Sequence, residues 1–213
     1  MKQKPRSGGQ APAAPTKFQF VPNFLFRGGP DQQLNACIGT NGGPYDLQDY
    51  GQGFFEGAHV IAEAARAGTI PVDIAVYPIA FAFRHGIELY LKHLYQLLAE
   101  WNHTSPDYPK NHTIQALWGH ISAGLTKLGK LKNVDKIALA GELIGAFCEI
   151  DPSGQVFRYP EDIKGNRHLT ELRIINLRVL GEGMTELQGY FVDWQYSLEA
   201  HIELRRAEGS ALA

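Results

Sequence analysis

The apolar positions of this chain recur at three- and four-residue steps, not at alternate positions, along most of its length. The pattern is strongest from Tyr77 to Trp101, YPIAFAFRHGIELYLKHLYQLLAEW. At the helical period, Ile79, Ala80, Phe83, Ile87, Tyr90, Leu91, Leu94, Leu97 and Leu98 share one arc of roughly 120°. Arg84, His85, Glu88, Lys92 and Gln96 share an opposing arc. The spacing predicts an amphipathic helix of roughly six turns, whose long apolar stripe makes it the spine of the core. A proline is tolerated only near a first turn, so this helix starts between Pro71 and Pro78, with Asp73 as a candidate cap.

The flanking pattern predicts four more helices. Phe54, Phe55, Ala58, Ile61, Ala62 and Ala65 mark one from Asp49 to Arg66, closed by Gly68 and Pro71. Ile114, Leu117, Trp118, Ile121 and Leu125 mark another from about His112 to Lys127, and a further helix runs from about Val134 to Ile150. The last runs from about Arg167 to Arg205, with Leu169, Leu172, Val179, Leu180, Leu187, Tyr190, Trp194 and Leu198 on one stripe. Its glycines at 181, 183 and 189 weaken it and favour a bend near Gly181–Gly183. Residues 102–110 and the stretch DPSGQVFRYPED read as loops, and nothing between Asp49 and Arg205 reads as a strand. The expected fold class is therefore all-α, an antiparallel helical bundle over residues 49–207. An irregular arm, 17–48, precedes it and is broken by Gly28-Gly29-Pro30 and Gly42-Gly43-Pro44. Residues 1–16, rich in Pro, Ala, Gly and Lys, are expected to be a disordered tail.

Composition narrows the classes of function. A formal net charge of −2 supplies no bulk attraction to nucleic acid or anionic membrane, so any nucleic-acid contact needs a local basic patch. Cys37 and Cys148 are too few for a disulfide framework and have no metal-ligand spacing. No apolar run approaches a membrane span, and the first residues lack the apolar core of a signal peptide. These features point to a protein of a reducing cytoplasm with no membrane partner. The sequons at Asn102 and Asn111 then read as chance.

Candidate chemistry lies first on the polar arc of the spine. Arg84–Glu88 and Glu88–Lys92 are both i,i+4 pairs, an arrangement that serves either a structural ladder or a partly buried site that includes His85. A second candidate is Phe157-Arg158-Tyr159-Pro160, between Asp151 and Glu161-Asp162, because an arginine between two aromatics in a loop suits either an anchor or a binding site. His112 and His120 lie too far round their helix for a tight metal pair. No metal and no cofactor are expected. The chain carries no nucleophile elbow, no phosphate-binding loop ending in Gly-Lys-Ser/Thr and no dinucleotide fingerprint.

Three pieces stand in a telling order: Arg84-His85-x-x-Glu88-Leu89-x-Leu91-Lys92, then His112 followed by Leu117-Trp118, then Phe157 to Pro160. Over roughly residues 50–205 this resembles the helical-bundle proteins of the HEPN superfamily, found in toxin–antitoxin, RNA-processing and phage-defence systems. The resemblance implies either a binding module for a nucleotide, an RNA end or a protein partner, or a metal-independent ribonuclease. Catalytic members carry an arginine followed by four to six residues and then a histidine, and no arginine here has a histidine at that distance. The resemblance therefore favours a non-catalytic module, with a ribonuclease of non-standard site as the alternative and a structural assembly subunit as a third. On the ribonuclease reading His85, His112, Arg84 and Arg158 are the catalytic candidates, and Glu88, Lys92, Tyr159 and Asp162 complete the binding set. Superfamily members commonly pair, which implies a homodimer, or docking to a larger partner. The aromatic arm (Phe18, Phe20, Phe24, Leu25, Phe26) and the stripe of Tyr190, Phe191, Trp194 and Leu198 are the expected contact surfaces.

Overall fold

In the computed structural model, which describes residues 25–108, 113–128 and 134–211, the chain is all-helical. Five α-helices follow one another among the described residues: α1 (Leu47–Arg66), α2 (Val72–Trp101), α3 (Ile114–Lys127), α4 (Val134–Ile150) and α5 (Leu177–Ala211). There is no strand among these residues, only one isolated antiparallel bridge between Glu161 and Arg167. The expected bundle is present, and it occupies the compact unit from Pro44 onward. Residues up to Gly43 belong to a separate unit. Its described part holds a 3-10 helix, Gln32–Leu34, capped by the Asp31 carboxylate. Asn35 closes the preceding turn, accepting from Gly29 N at 2.8 Å and donating to Gly29 O at 3.0 Å. The expected tail, 1–16, and Phe18, Phe20 and Phe24 of the arm lie outside the described residues.

Local chemistry sets the helix ends. The Asp46 carboxylate accepts from Gln48 N at 2.7 Å and Asp49 N at 3.3 Å, while Asp49 accepts from Asp46 N at 2.8 Å. This reciprocal capping box starts α1 two residues before the expected position. At its other end Gly68, at φ +75°, lets its own N–H reach Ala65 O and Thr69 N–H reach Ala64 O, a Schellman closure. α2 starts early, at Val72, with Pro71 as its cap residue. Asp73 does not cap it but sits in the first turn, where its charge suits the helix dipole. Pro78 lies inside the helix. Pro78 and Ile74 are both exposed, so the missing hydrogen bond falls on the solvent side.

α2 is the spine. It packs against α1, α3 and α5, with α4 closing the bundle against α3 and α5. Eight of the nine predicted apolar positions are buried, Leu97 alone being partly exposed (Ile79, Ala80, Phe83, Ile87, Tyr90, Leu91, Leu94, Leu98). An aromatic series crosses the bundle. Phe55 of α1 meets Tyr90 of α2 at 5.7 Å between ring centres, Tyr90 meets Phe191 of α5 at 5.5 Å, and Trp194 stacks on Trp118 of α3 at 5.8 Å. α1 and α2 approach closely where glycines face each other. A Cβ on Gly86 would stand 2.6 Å from the Phe55 ring, and one on Gly51 would stand 2.9 Å from Tyr90.

Two expectations are corrected. The last helix begins at Leu177, not near Arg167. Residues 167–176 are held out of helix by the Glu161–Arg167 bridge, by the bond from His168 N to Pro160 O and by Leu169 at φ 55°. Asn176 then caps α5, its side chain accepting from Arg178 N and Val179 N at 2.9 and 3.3 Å. Leu169 and Leu172 are thus loop residues, and Val179 of the predicted stripe is exposed. The second correction concerns the stripe of Tyr190, Phe191, Trp194 and Leu198, expected as a contact surface: Phe191, Trp194 and Leu198 are buried in the core of the bundle. The polar arc of α2 is also buried, Arg84 and Glu88 being each only 2% exposed, because the end of α4 and the segment after it cover that side of the spine.

Candidate functional site

The polar arc becomes an ion cluster in the interior. Arg84 Nη1 donates to Glu88 Oε2 at 3.1 Å, and Lys92 Nζ donates to Glu88 Oε1 at 2.7 Å. One carboxylate thus bridges two cations on successive turns. The guanidinium also reaches across to the C-terminal end of α4, with Nε donating to Asp151 O at 3.3 Å and Nη2 to Pro152 O at 3.4 Å. The last carbonyls of a helix lack intrahelical partners, so Arg84 serves as a cation at a helix C-terminus. Lys92, at the cluster's outer edge, also lies 5.3 Å from the centre of the Tyr108 ring.

Asp151 anchors the connection from α4 to α5. It is fully buried, and its Oδ1 accepts from Gly154 N, Gln155 N and Val156 N at 2.7, 3.0 and 3.3 Å. Gly154 has φ +77°, and a Cβ there would stand 3.4 Å from the Arg84 guanidinium. A Cβ would fit at that ordinary contact distance, so it is the left-handed backbone that selects glycine at this turn. The connection then folds on itself. Asp162 accepts from Lys164 N at 2.7 Å and Asn166 N at 3.0 Å, and its other oxygen accepts from the Asn166 side chain at 2.9 Å. The Asn166 side chain and backbone hold the Asp162 carboxyl below its ordinary pKa. Asp162, expected as a binding residue, is the keystone of a turn. A connection this long without regular structure, yet internally braced, is of the kind that carries function.

The far side of this connection encloses a cavity of about 620 Å³ against the first turns of α2. Arg158, Arg167, His168 and Arg173 line it from the loop, and Asp73 and Tyr77 from α2. No ion pair links Arg158, Arg167 or Arg173 to another described residue. Arg158 lies over the rings of Phe81 and Tyr159, at 5.5 and 5.2 Å, and its Nη2 donates to Tyr159 Oη at 3.3 Å. Stacked this way, its position is held by aromatic faces rather than by an acid. His168 Nε2 is buried without a hydrogen-bond partner among the described residues, although its ring lines the cavity.

The sequence candidates therefore divide. Arg158 and Tyr159 face the cavity, whereas Arg84 and Glu88 lie in the bundle interior. His85 is half-buried on the side of α2 toward α1, stacked on Phe81 at 5.9 Å and edge-on to Phe54 at 4.5 Å. Phe81 is thus a common neighbour of His85 and Arg158. His112 lies outside the described residues, and His120 is exposed and stacked on Tyr95 at 4.5 Å. Reading the residues alone missed Arg167, His168 and Arg173, because it assigned them to a helix. The available signal was the turn pair Gly165-Asn166. Comparison of the chain with protein-family models, with curated proteins and with solved structures finds no match.

Proposed function

We propose that this chain is a HEPN-like recognition module, not an enzyme, that binds the phosphates of a nucleotide or of an RNA end in the cavity between α2 and the α4–α5 connection. The observation that carries the reading is the set of three arginines on one cavity, none of them in an ion pair with another described residue, against the single carboxylate of Asp73 on its α2 wall. Guanidinium groups present paired N–H donors that match phosphate oxygens, and Tyr77 and Tyr159 supply ring faces for a base. The volume is within the usual range for a small-molecule site. The Arg84–Glu88–Lys92 cluster serves this site indirectly, by fixing where the connection leaves α4. The setting is that of a toxin–antitoxin or phage-defence system, with a homodimer as the working assembly. A mass near 23.6 kDa by light scattering at micromolar concentration would remove the homodimer.

The test is calorimetric titration with ADP and with a 5′-phosphorylated oligoribonucleotide. Binding should weaken steeply with salt and fall roughly 100-fold in Arg158→Ala/Arg173→Ala, since a hydrogen bond to a charged group contributes about 1.5–3 kcal/mol. If neither ligand binds to the intact chain, the reading is wrong. A second reading, the metal-independent ribonuclease, draws on His168 lining the same cavity as the arginines, a base beside cations. Absence of RNA cleavage by clean protein, unchanged in His168→Ala, removes it.

A further inference from the structure

A second cavity, of about 440 Å³, adjoins the first. The two have four lining residues in common: Phe157, Leu172, Ile174 and Ile175. In character they are opposite. The first carries three arginines and a histidine against one carboxylate, Asp73, whereas the second is lined by aliphatic side chains, Phe147, Phe157, Met184, small residues and a single amide, that of Asn176. Ile174, where they meet, is 84% exposed, and Val179 on the far rim is 69% exposed. Apolar side chains left in water beside an open apolar cavity mark a surface that a ligand covers.

Resting on the nucleotide reading above, we infer that the ligand is amphipathic: a nucleotide of the acyl-nucleotide class, with its phosphates at the arginines and its acyl chain in the second cavity. Charge and apolarity are segregated here on adjoining surfaces, which suits one molecule with an anionic head and an apolar tail. The four common residues are all apolar, so the passage from head to tail crosses no polar group that the chain would leave unsolvated. Phe157 is 7% exposed and forms part of both walls, so one buried ring bounds the arginine-lined cavity and the acyl slot alike.

The experiment is calorimetric titration of the full chain with three probes: coenzyme A, octanoyl-coenzyme A and octanoate. Octanoyl-coenzyme A should bind at least tenfold more tightly than coenzyme A, and octanoate should bind weakest. Ala146→Phe, which fills the second cavity from an exposed position, should abolish the gain and leave coenzyme A affinity unchanged. Val179→Asp, also exposed, should do the same by placing a carboxylate on the slot. Equal affinity for coenzyme A and octanoyl-coenzyme A would overturn the acyl inference while leaving the nucleotide reading standing. Octanoate binding as tightly as octanoyl-coenzyme A would overturn the nucleotide head, and no binding of any probe would overturn the acyl inference, while the titrations with ADP and RNA decide the nucleotide reading separately.

Discussion

Removing Arg84 should destabilise the bundle far more than removing an exposed arginine, and for a reason the geometry specifies. Its side chain is 2% exposed and donates to Glu88 and to the backbone carbonyls of Asp151 and Pro152. Arg84→Met keeps much of the volume but takes one cation from the buried Glu88 carboxylate and removes the guanidinium donor from the carbonyls of Asp151 and Pro152. Breaking a buried pair by deleting one partner costs about 3–5 kcal/mol. For a chain of this size that corresponds to a fall in Tm of roughly 6–20 °C. Arg84→Met/Glu88→Leu should recover a large part of the loss, because the desolvated charge is then gone as well. Urea denaturation followed by circular dichroism at 222 nm measures the wild type, Arg84→Met, Glu88→Leu and the double variant. Two results would refute the reasoning: Arg84→Met within about 1 kcal/mol of the wild type, or a double variant that simply sums the singles. Either would mean that the cluster is solvated in solution and does not tie α2 to the end of α4.

Two further outcomes follow from the packing and the titratable groups. Gly86→Ala, although it favours helix, should cost about 1–3 kcal/mol, because the new methyl would stand 2.6 Å from the Phe55 ring; an unchanged urea midpoint would show that α1 and α2 can move apart. Stability should fall as pH drops below about 6.5, because burial lowers the pKa of His93 and of His59, so that the unfolded chain takes up protons before the folded one does. Around His93, Asp46 and Asp49 of the α1 entry and Glu199 of α5 oppose that shift without reversing it. The slope is at most about 1.4 kcal/mol per pH unit per histidine and should shrink in His93→Asn, as read from urea midpoints between pH 7.5 and 5.5.

The all-α class and the identity of the spine were legible in the sequence because they depend on periodicity. Phe83, Leu91, Leu94 and Trp118, placed on apolar stripes by their spacing alone, are all buried. The closure of α1 at Gly68 was legible for a similar reason, since a left-handed backbone position selects glycine. The fate of the polar arc was not. An i,i+4 ladder of Arg, Glu and Lys looks the same on a solvated face and in an interior, and the end of α4 decides between them by laying its carbonyls over Arg84. The cavity was not legible either. Arg167, His168 and Arg173 fit a helical count as well as a loop, and the difference is made by contacts between residues distant from any periodic pattern: the Glu161–Arg167 bridge, the Asp162 turn and the Asn176 cap. Local spacing determines which residues can share a face of a helix, because that follows from 3.6 residues per turn. Which of those faces meets water, and which arginines end on one wall, was settled only by the tertiary structure, because both depend on what other segments bury.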